Sequence, residues 1–380
     1  MKILKWILIT TLALLMLLCI YIAFNFTFFQ RAYTYPVEHE ITDVNWYKPL
    51  SAVKGNLKAR ISKSDSLTLS MQTLNKIKKY AFDHNSNAIL VMHEGQLLLE
   101  EYAEGATENS VSNSMSMAKT IIGILIGIAI EEGKIKDEKE PAATYIKEWK
   151  NDERAKITIE QLLTMQSGLR DNDRPDKLFS DVINMYLGDE VAATALSVPA
   201  DKTPNTIWEY NNVNTQILAI ILERTTGKSI EDYASEKLWK PLGASDANWW
   251  LDEADGMPKV FCCFFAQAQD WLRLGQLFMQ KGEWNGQQII PTKWYDKMLT
   301  QSSLEPDYGK HIWLMYEDGG LKKKDRTEPF LARTYIIDGR GKNQVFITPA
   351  LDLVIVRIGD MPTDWDDSFM VNLVQNSLQK

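Results

Sequence analysis

The chain has few of the residues that metal centres and disulfide frameworks need, because its 380 residues include only 4 histidines and 3 cysteines. No histidines show the spacing of zinc ligands, and no Gly-x-Ser-x-Gly elbow presents a triad serine. The histidines stand at His39, His84, His93 and His311. These absences argue against a zinc enzyme and against a histidine-based triad, and we expect no metal and no cofactor.

The chain also lacks a basic cluster, and its formal net charge is −8. Nucleic-acid binding needs clustered lysine and arginine, so we expect no nucleic-acid partner. No internal repeat or low-complexity tract is present. With 45% hydrophobic residues the chain can bury a large core, and its length permits two lobes.

Two of the three cysteines are adjacent, at Cys262 and Cys263. A disulfide between neighbouring residues strains the backbone, because the bridge prefers a wider separation of the two Cα atoms. We therefore expect a buried pair of thiols here.

One long apolar run, Trp6 to Phe24, follows Lys2 and Lys5. It is long enough to cross a bilayer as a helix, and the lysines favour a cytoplasmic N-terminus. We predict a transmembrane signal anchor over 1–30 and a stalk or strap over 31–74. The catalytic domain would then lie outside a bacterial cytoplasmic membrane. A cleaved signal peptide is the alternative, but residues 25–29 lack a small-x-small cleavage pattern.

The segment Asn113 to Thr120 contains Ser116-x-x-Lys119 at the start of a strongly apolar stretch. Residues three apart share a helix face, so the lysine amine can reach the serine hydroxyl. A lysine acts as a base when burial or a nearby cation lowers its pKa. The apolar residues 120–130 predict a buried helix that would desolvate this amine. The backbone N–H of Ser116, at the positive end of the helix, could help to hold an oxyanion.

A second motif, Tyr210-Asn-Asn212, directly precedes a predicted helix that ends near Gly227. A tyrosine at a helix start can direct its phenol into a cleft. The alternative is that Asn212 caps the helix and Tyr210 packs beside it.

The Ser116-x-x-Lys119 and Tyr210-Asn-Asn212 motifs occur in the same chain as two further segments, Ile157 to Leu169 and Trp284 to Pro291. Together these four segments resemble those of the serine beta-lactamase and penicillin-binding-protein superfamily. Within it the chain is most similar to the class C-like branch, which includes 6-aminohexanoate-dimer hydrolases and esterases. The resemblance spans roughly residues 75–378. It implies that Ser116 is acylated and that Lys119 and Tyr210 share the general-base and general-acid work. It also implies that Asn212 orients the lysine or the substrate amide.

The third element of that superfamily, a Lys-Thr-Gly or His-x-Gly triplet, is absent; the corresponding stretch runs from Ile337 to Gln344. In the hydrolase branch a Gly-rich turn often stands there, which makes Arg340 and Gly341 candidate substrate-binding residues. Trp313 is a further candidate, because that branch often places an aromatic side chain in the cleft near this point. Efficient beta-lactam hydrolysis is not expected without the usual triplet.

Predicted strands at both ends of the domain enclose a helical middle. They begin with a hairpin, 88–92 and 96–102, and return at 333–337, 344–348 and 352–358, before a helix over 365–378. We predict an α+β, beta-lactamase/transpeptidase-like fold, in which helices flank an antiparallel sheet and a helical lobe is inserted. The sheet lobe would comprise 75–120 and 255–380, and the helical lobe 121–254.

The resulting hypothesis is a serine hydrolase that acts through an acyl-enzyme on a small amide, ester or peptide outside the cytoplasm. Two alternatives stay open. One is a penicillin-binding D-alanyl carboxypeptidase or sensor with a long-lived adduct. The other is a non-catalytic envelope protein that keeps the fold.

Overall fold

The computed structural model describes residues 2–170, 180–315 and 327–379. Its helices are α1 (Lys2–Phe24), α2 (Phe26–Thr34), α3 (Met71–Asp83), α4 (Ala118–Glu131), α5 (Ile159–Leu163), α6 (Asp181–Leu187), α7 (Val191–Ser197), α8 (Asn212–Thr226), α9 (Ile230–Ala234), α10 (Ala268–Met279), α11 (Thr292–Met298) and α12 (Phe369–Leu378). Its strands are β1 (Leu50–Val53), β2 (Ser86–His93), β3 (Gln96–Tyr102), β4 (Val111–Asn113), β5 (Ala247–Trp250), β6 (Phe264–Gln267), β7 (Glu283–Trp284), β8 (Gln287–Gln288), β9 (Trp313–Met315), β10 (Thr334–Gly339), β11 (Asn343–Thr348) and β12 (Leu353–Gly359).

The main sheet has the strand order β3-β2-β12-β11-β10-β9, and every neighbouring pair is antiparallel. The N-terminal hairpin therefore joins the C-terminal strands in one sheet. The predicted hairpin and α+β class are confirmed: β3 has the predicted bounds, and β2 is longer than predicted by two residues at its start and one at its end. Glu94 and Gly95 have φ values of 50° and 71°, as a tight two-residue turn between strands requires.

Both faces of the main sheet are buried, because alternate strand residues point to opposite sides. Ile89 and Val91 belong to a core that is shared with α3 and α12. Leu90 and Met92 belong to the larger core on the other face, where α10 packs. Gly275 permits that close packing, because a Cβ there would lie 2.6 Å from Val354 Cγ1.

A second, four-stranded sheet has the order β1-β5-β6-β4. Strand β1 comes from the segment that was predicted to be a stalk or strap, and Leu50 to Val53 pair with Trp250 to Ala247. This part of the N-terminal segment is thus an edge strand of the domain. Strand β4 leads directly into the turn that carries Ser116.

The part of the chain between the two sets of strands is mainly helical, and α4 packs against α8 there. Helix α4 is buried from Ala118 to Ala129, which explains its nearly uniform apolar sequence. Helix α5 begins with the expected capping box between Thr158 and Gln161, and α8 ends at Gly227 in the left-handed conformation.

The final helix begins later than predicted, at Phe369 instead of about residue 365. The residues before it form side-chain hydrogen bonds that a helical turn would break: Trp365 Nε1 donates to Asp367 Oδ1 at 2.8 Å, and Ser368 N–H donates to Asp366 Oδ1 at 2.9 Å.

Candidate active site

Ser116 lies in a short 3₁₀ turn, Met115–Met117, that leads into α4. Met115 has a φ of 48°, in the left-handed region that non-glycine residues rarely occupy. Its N–H donates to Asn113 Oδ1 at 3.0 Å, and the N–H of Ser114 donates to Phe264 O at 2.9 Å. One local and one tertiary hydrogen bond thus hold a strained residue directly before the serine, as is common at functional sites.

Lys119 lies one helical turn beyond Ser116, and the structure brings the two side chains together. Lys119 Nζ donates to Ser116 Oγ at 2.8 Å and to the carbonyl oxygen of Phe261 at 2.7 Å. The lysine is 2% exposed. The amine is therefore shielded from water and lies within proton-transfer distance of the serine hydroxyl.

His311 is the histidine nearest to this pair, and its two ring nitrogens are occupied by structural contacts. Nε2 lies 3.0 Å from Thr215 Oγ1, and Nδ1 lies 2.9 Å from Leu163 O. Burial, with the nearby Lys119 charge as a smaller cause, lowers the pKa of His311 to about 3. His311 is therefore neutral near pH 7, and it links the start of α8 to the end of α5.

Tyr210 faces Lys119 across the site, with Lys119 Nζ 5.0 Å from the centroid of the phenol ring. Trp313 stacks on the other side of Tyr210, with a centroid distance of 5.9 Å and an interplanar angle of 17°. Tyr308 contacts Trp313 edge to face at 4.9 Å. This aromatic cluster limits the positions that the Tyr210 ring can take, because such rings pack in few relative orientations.

Asn212 does not cap α8, since the N-cap is Asn211, whose Oδ1 accepts from Val213 N–H at 2.9 Å. The Asn212 side chain instead lines the cavity in front of Ser116. Its Oδ1 is buried and has no hydrogen-bond partner among the residues that the structure describes. A buried acceptor of this kind is suited to a substrate N–H or to an ammonium.

The end of β10 lies against the nucleophile turn. A Cβ on Gly339 would be 2.4 Å from Ser114 O, so only glycine allows this approach without a shift. The close contact brings backbone groups of the sheet next to Ser116. The stretch 337–344, which was predicted to correspond to the third motif of the superfamily, therefore passes beside the nucleophile turn.

Arg340 and Gly341 follow that strand and take different positions. Arg340 lines the cavity, but its Nε donates to Glu40 Oε1 at 2.7 Å. Burial by itself would lower the pKa of Arg340, but the Glu40 carboxylate outweighs it and raises that pKa. Gly341 has a φ of 80° and forms the turn before β11; it is not among the residues that line the cavity.

These side chains surround one cavity of about 630 Å³, a size typical of ligand sites. Polar groups line the cavity around Ser116 and also at Tyr35, Tyr186, Asp338 and Arg340, and the remaining lining is apolar or aromatic. The lining residues are Ala32, Tyr35, Met115, Ser116, Val182, Ile183, Tyr186, Leu187, Tyr210, Asn212, Phe261, Cys262, Trp313, Asp338 and Arg340.

Several lining residues carry no recognisable sequence signal. Ala32 and Tyr35 come from the N-terminal segment, and Tyr186 comes from α6. Tyr35 OH donates to Glu40 Oε2 at 2.6 Å, and Tyr47 OH lies 3.2 Å from Tyr186 OH. The N-terminal segment thus forms one wall of the cavity.

The expectation of two thiols at Cys262 and Cys263 is wrong, because the structure joins them in a disulfide. Cys263 has a φ of 67°, and this left-handed conformation brings the two side chains to the same side of the chain. The prediction that both are buried is correct. Cys262 lines the cavity, next to the Phe261 carbonyl that accepts from Lys119.

No cluster of three or more potential metal ligands occurs in the described ranges of the chain. Around the Ser116 hydroxyl, the described residues offer an amine, a phenol and an amide, from Lys119, Tyr210 and Asn212.

A family model described as Beta-lactamase matches residues 78–359. The chain belongs to the beta-lactamase family. The sequence-based prediction of a beta-lactamase-related serine hydrolase is therefore confirmed, and the fold agrees with it.

Three individual proteins resemble this member of the family. The 6-aminohexanoate-dimer hydrolase of Paenarthrobacter ureafaciens is 25% identical over 289 residues, which cover 73% of each protein. A Bacillus subtilis (strain 168) protein provisionally named penicillin-binding protein PbpX is 25% identical over 126 residues, 32% of this chain and 28% of that protein. A solved Bacillus anthracis structure, provisionally named a 6-aminohexanoate-dimer hydrolase, superposes with a TM-score of 0.72 at 24% identity. It covers 89% of this chain and 91% of the other.

Proposed function

We propose that this protein is a membrane-anchored serine hydrolase that cleaves an amide or ester outside the cytoplasm through an acyl-enzyme on Ser116. The observation that carries this proposal is the contact of 2.8 Å between Lys119 Nζ and Ser116 Oγ. It occurs where the lysine is 2% exposed. Nucleophile and base are within reach of a proton transfer and face a cavity that can hold a substrate.

In the first half of the reaction, Lys119 in its neutral form accepts the proton of the Ser116 hydroxyl while Oγ bonds to the substrate carbonyl carbon. The N–H of Ser116 and backbone groups near the end of β10 are the available donors for the oxyanion. The tetrahedral intermediate then expels an amine or alcohol, which receives the proton through Lys119 and Tyr210. Asn212 Oδ1 accepts a hydrogen bond from a substrate N–H or from the lysine.

In the second half, a water molecule replaces the leaving group. Lys119 accepts its proton, relayed by the Tyr210 phenol, as the water oxygen bonds to the acyl carbon, and the proton returns to Ser116 Oγ when the acid departs. The protein thereby ends the cycle with its original proton distribution.

The extracytoplasmic location rests on α1. It is the one helix among the described residues that is long and apolar enough to cross a membrane, and it is close to the N-terminus. Lys2 and Lys5, in the first turns of α1, favour a cytoplasmic N-terminus. The alternative of a cleaved signal peptide would leave the same domain outside the cytoplasm, without an anchor.

A penicillin-binding function has some support from the similarity to PbpX, over 126 residues. The Glu40 carboxylate argues against it, because it lies beside Arg340 and would repel the carboxylate of a beta-lactam. Intact-protein mass spectrometry after exposure to benzylpenicillin separates the two functions. A persistent adduct on Ser116 would favour the penicillin-binding alternative.

The direct test of the proposal is Ser116→Ala, assayed with 4-nitrophenyl acetate and a fluorophosphonate probe. We expect the variant to lose both turnover and labelling, with an unchanged thermal unfolding midpoint. Turnover at the wild-type rate by the alanine variant would refute the proposal.

A further inference from the structure

The N-terminal helices connect the apolar segment directly to the catalytic cavity. Helix α2 begins at Phe26, two residues after α1 ends, and packs on α6. Arg31 Nη1 donates to Leu187 O at 3.2 Å and to Gly188 O at 2.7 Å. One residue later, Ala32 lines the cavity. At 1.5 Å per helical residue, Ala32 lies no more than about 12 Å along the chain from the end of α1.

The wall that faces this connection is mostly apolar. Beside Ala32, helix α6 contributes Val182, Ile183 and Leu187 to the cavity, together with Tyr186, whose hydroxyl lies 3.2 Å from Tyr47 OH. Val182 and Ile183 are only half-buried in the protein by itself. A cavity with one catalytic polar end and one apolar end fits a ligand that has a carbonyl group followed by an apolar chain.

The positive charge of Arg340 at the rim of the cavity is offset by a carboxylate of the protein itself, Glu40. Arg340 Nε donates to Glu40 Oε1, and the other Glu40 oxygen accepts from Tyr35 OH at 2.6 Å. Glu40 is 4% exposed. A substrate carboxylate would meet a guanidinium whose charge Glu40 already offsets, so an acidic chain gains little at this rim.

We propose that the substrate is an amphiphile whose ester or amide carbonyl carries a straight, uncharged apolar chain, and that it enters the cavity from the lipid bilayer. This inference rests on the proposed function. Ser116 Oγ bonds to the carbonyl carbon, the alcohol or amine head group leaves with a proton, and water releases the chain as a carboxylic acid. Helix α2 holds the apolar end of the cavity close to the bilayer surface.

The first test measures kcat/KM for 4-nitrophenyl esters from acetate to octanoate with the full chain in detergent. Each methylene that enters an apolar site should raise kcat/KM by about fourfold, so we expect at least about a hundredfold from acetate to octanoate. A flat or falling series would overturn the proposal. The leaving group is constant, so the trend reports the acyl chain alone.

A matched pair of variants on α2 tests whether the apolar end of the cavity causes that trend. Ala32→Asp places a charge in the cavity wall, whereas Tyr33→Asp places it on the neighbouring residue, which is 92% exposed. We expect the octanoate-to-acetate ratio to fall at least tenfold in Ala32→Asp and to stay at the wild-type value in Tyr33→Asp. Equal ratios in the two variants would overturn the proposal.

Delivery from the bilayer is tested with the full chain in phosphatidylcholine vesicles and a dodecanoate ester of the same leaving group. Ester in the same vesicles as the enzyme should turn over at least about tenfold faster than ester supplied in separate vesicles, because delivery within one bilayer needs no transfer through water. Equal rates would overturn entry from the bilayer.

Failure of this inference and failure of the proposed function give different results. If no ester in the series is cleaved in a Ser116-dependent manner, the hydrolase function itself fails. If acetate is cleaved in a Ser116-dependent manner but chain length has no effect, only the substrate class fails.

Discussion

The role of Lys119 as a base can be tested by Lys119→Met, which keeps a straight side chain and removes the amine. The amine lies 2.8 Å from Ser116 Oγ and 2.7 Å from Phe261 O. Loss of a general base lowers kcat by at least about a hundredfold. That factor corresponds to about 2.7 kcal/mol of transition-state stabilisation.

The same substitution should have a much smaller effect on folding. It leaves the Phe261 carbonyl without the lysine donor, at a cost of about 1–3 kcal/mol. It also removes the cost of burying an amine, so the two effects oppose each other. We expect the unfolding midpoint to change little, whereas kcat decreases by at least about a hundredfold.

Lys259→Met is a matched control, because Lys259 is a second fully buried lysine. Its Nζ donates to the carbonyl oxygens of Met185 and Gly188, both at 2.7 Å. These contacts are structural, so the variant should change stability and lower kcat by less than about tenfold. Steady-state kcat for 4-nitrophenyl acetate and urea unfolding are measured for both variants. A Lys119→Met enzyme within tenfold of wild type, or equal losses of kcat in the two variants, would refute the reasoning.

Three further predictions concern the phenol, the strand beside Ser116 and a buried acid. Tyr210→Phe should lower steady-state kcat by at least about a hundredfold through loss of proton transfer, and a silent substitution would remove this residue from the mechanism. Gly339→Ala should lower kcat by about tenfold, because the added Cβ would lie 2.4 Å from Ser114 O and push β10 away from the nucleophile turn. An unchanged kcat would show that this contact is unimportant. Burial raises the pKa of Glu223 to about 7, so the folded chain holds a proton that the unfolded chain releases above its ordinary pKa of 4.5. The free energy of unfolding of the wild type should therefore decrease as the pH rises from about 4.5 to about 7. Glu223→Gln should gain on the order of 1 kcal/mol at pH 8 over wild type and little at pH 4, in urea unfolding. An equal gain at both pH values would contradict this origin.

Local chemistry explains why much of the candidate site is visible in the sequence. Ser116 and Lys119 are one helical turn apart, so the helix that contains them also brings them together. The hairpin of β2 and β3 follows from two apolar runs on either side of a turn. The capping box at Thr158 and Gln161 is likewise a property of four consecutive residues.

Two details fall outside what such local patterns predict. The cap of α8 is Asn211, which leaves Asn212 for the cavity, and two adjacent asparagines offer no local reason to prefer either. The bridge between Cys262 and Cys263 depends on a left-handed φ at Cys263, which the surrounding packing maintains.

The amino-acid sequence by itself determined the family, the α+β class and the Ser116 and Lys119 pair, because each depends on short-range periodicity or spacing. Only the tertiary structure decided that Glu40 neutralises Arg340, a contact between residues 300 positions apart. It also decided that Ala32 and α6 form the apolar end of the cavity. These features depend on which segments, far apart in the sequence, pack together when the core forms. Local sequence patterns do not determine that packing.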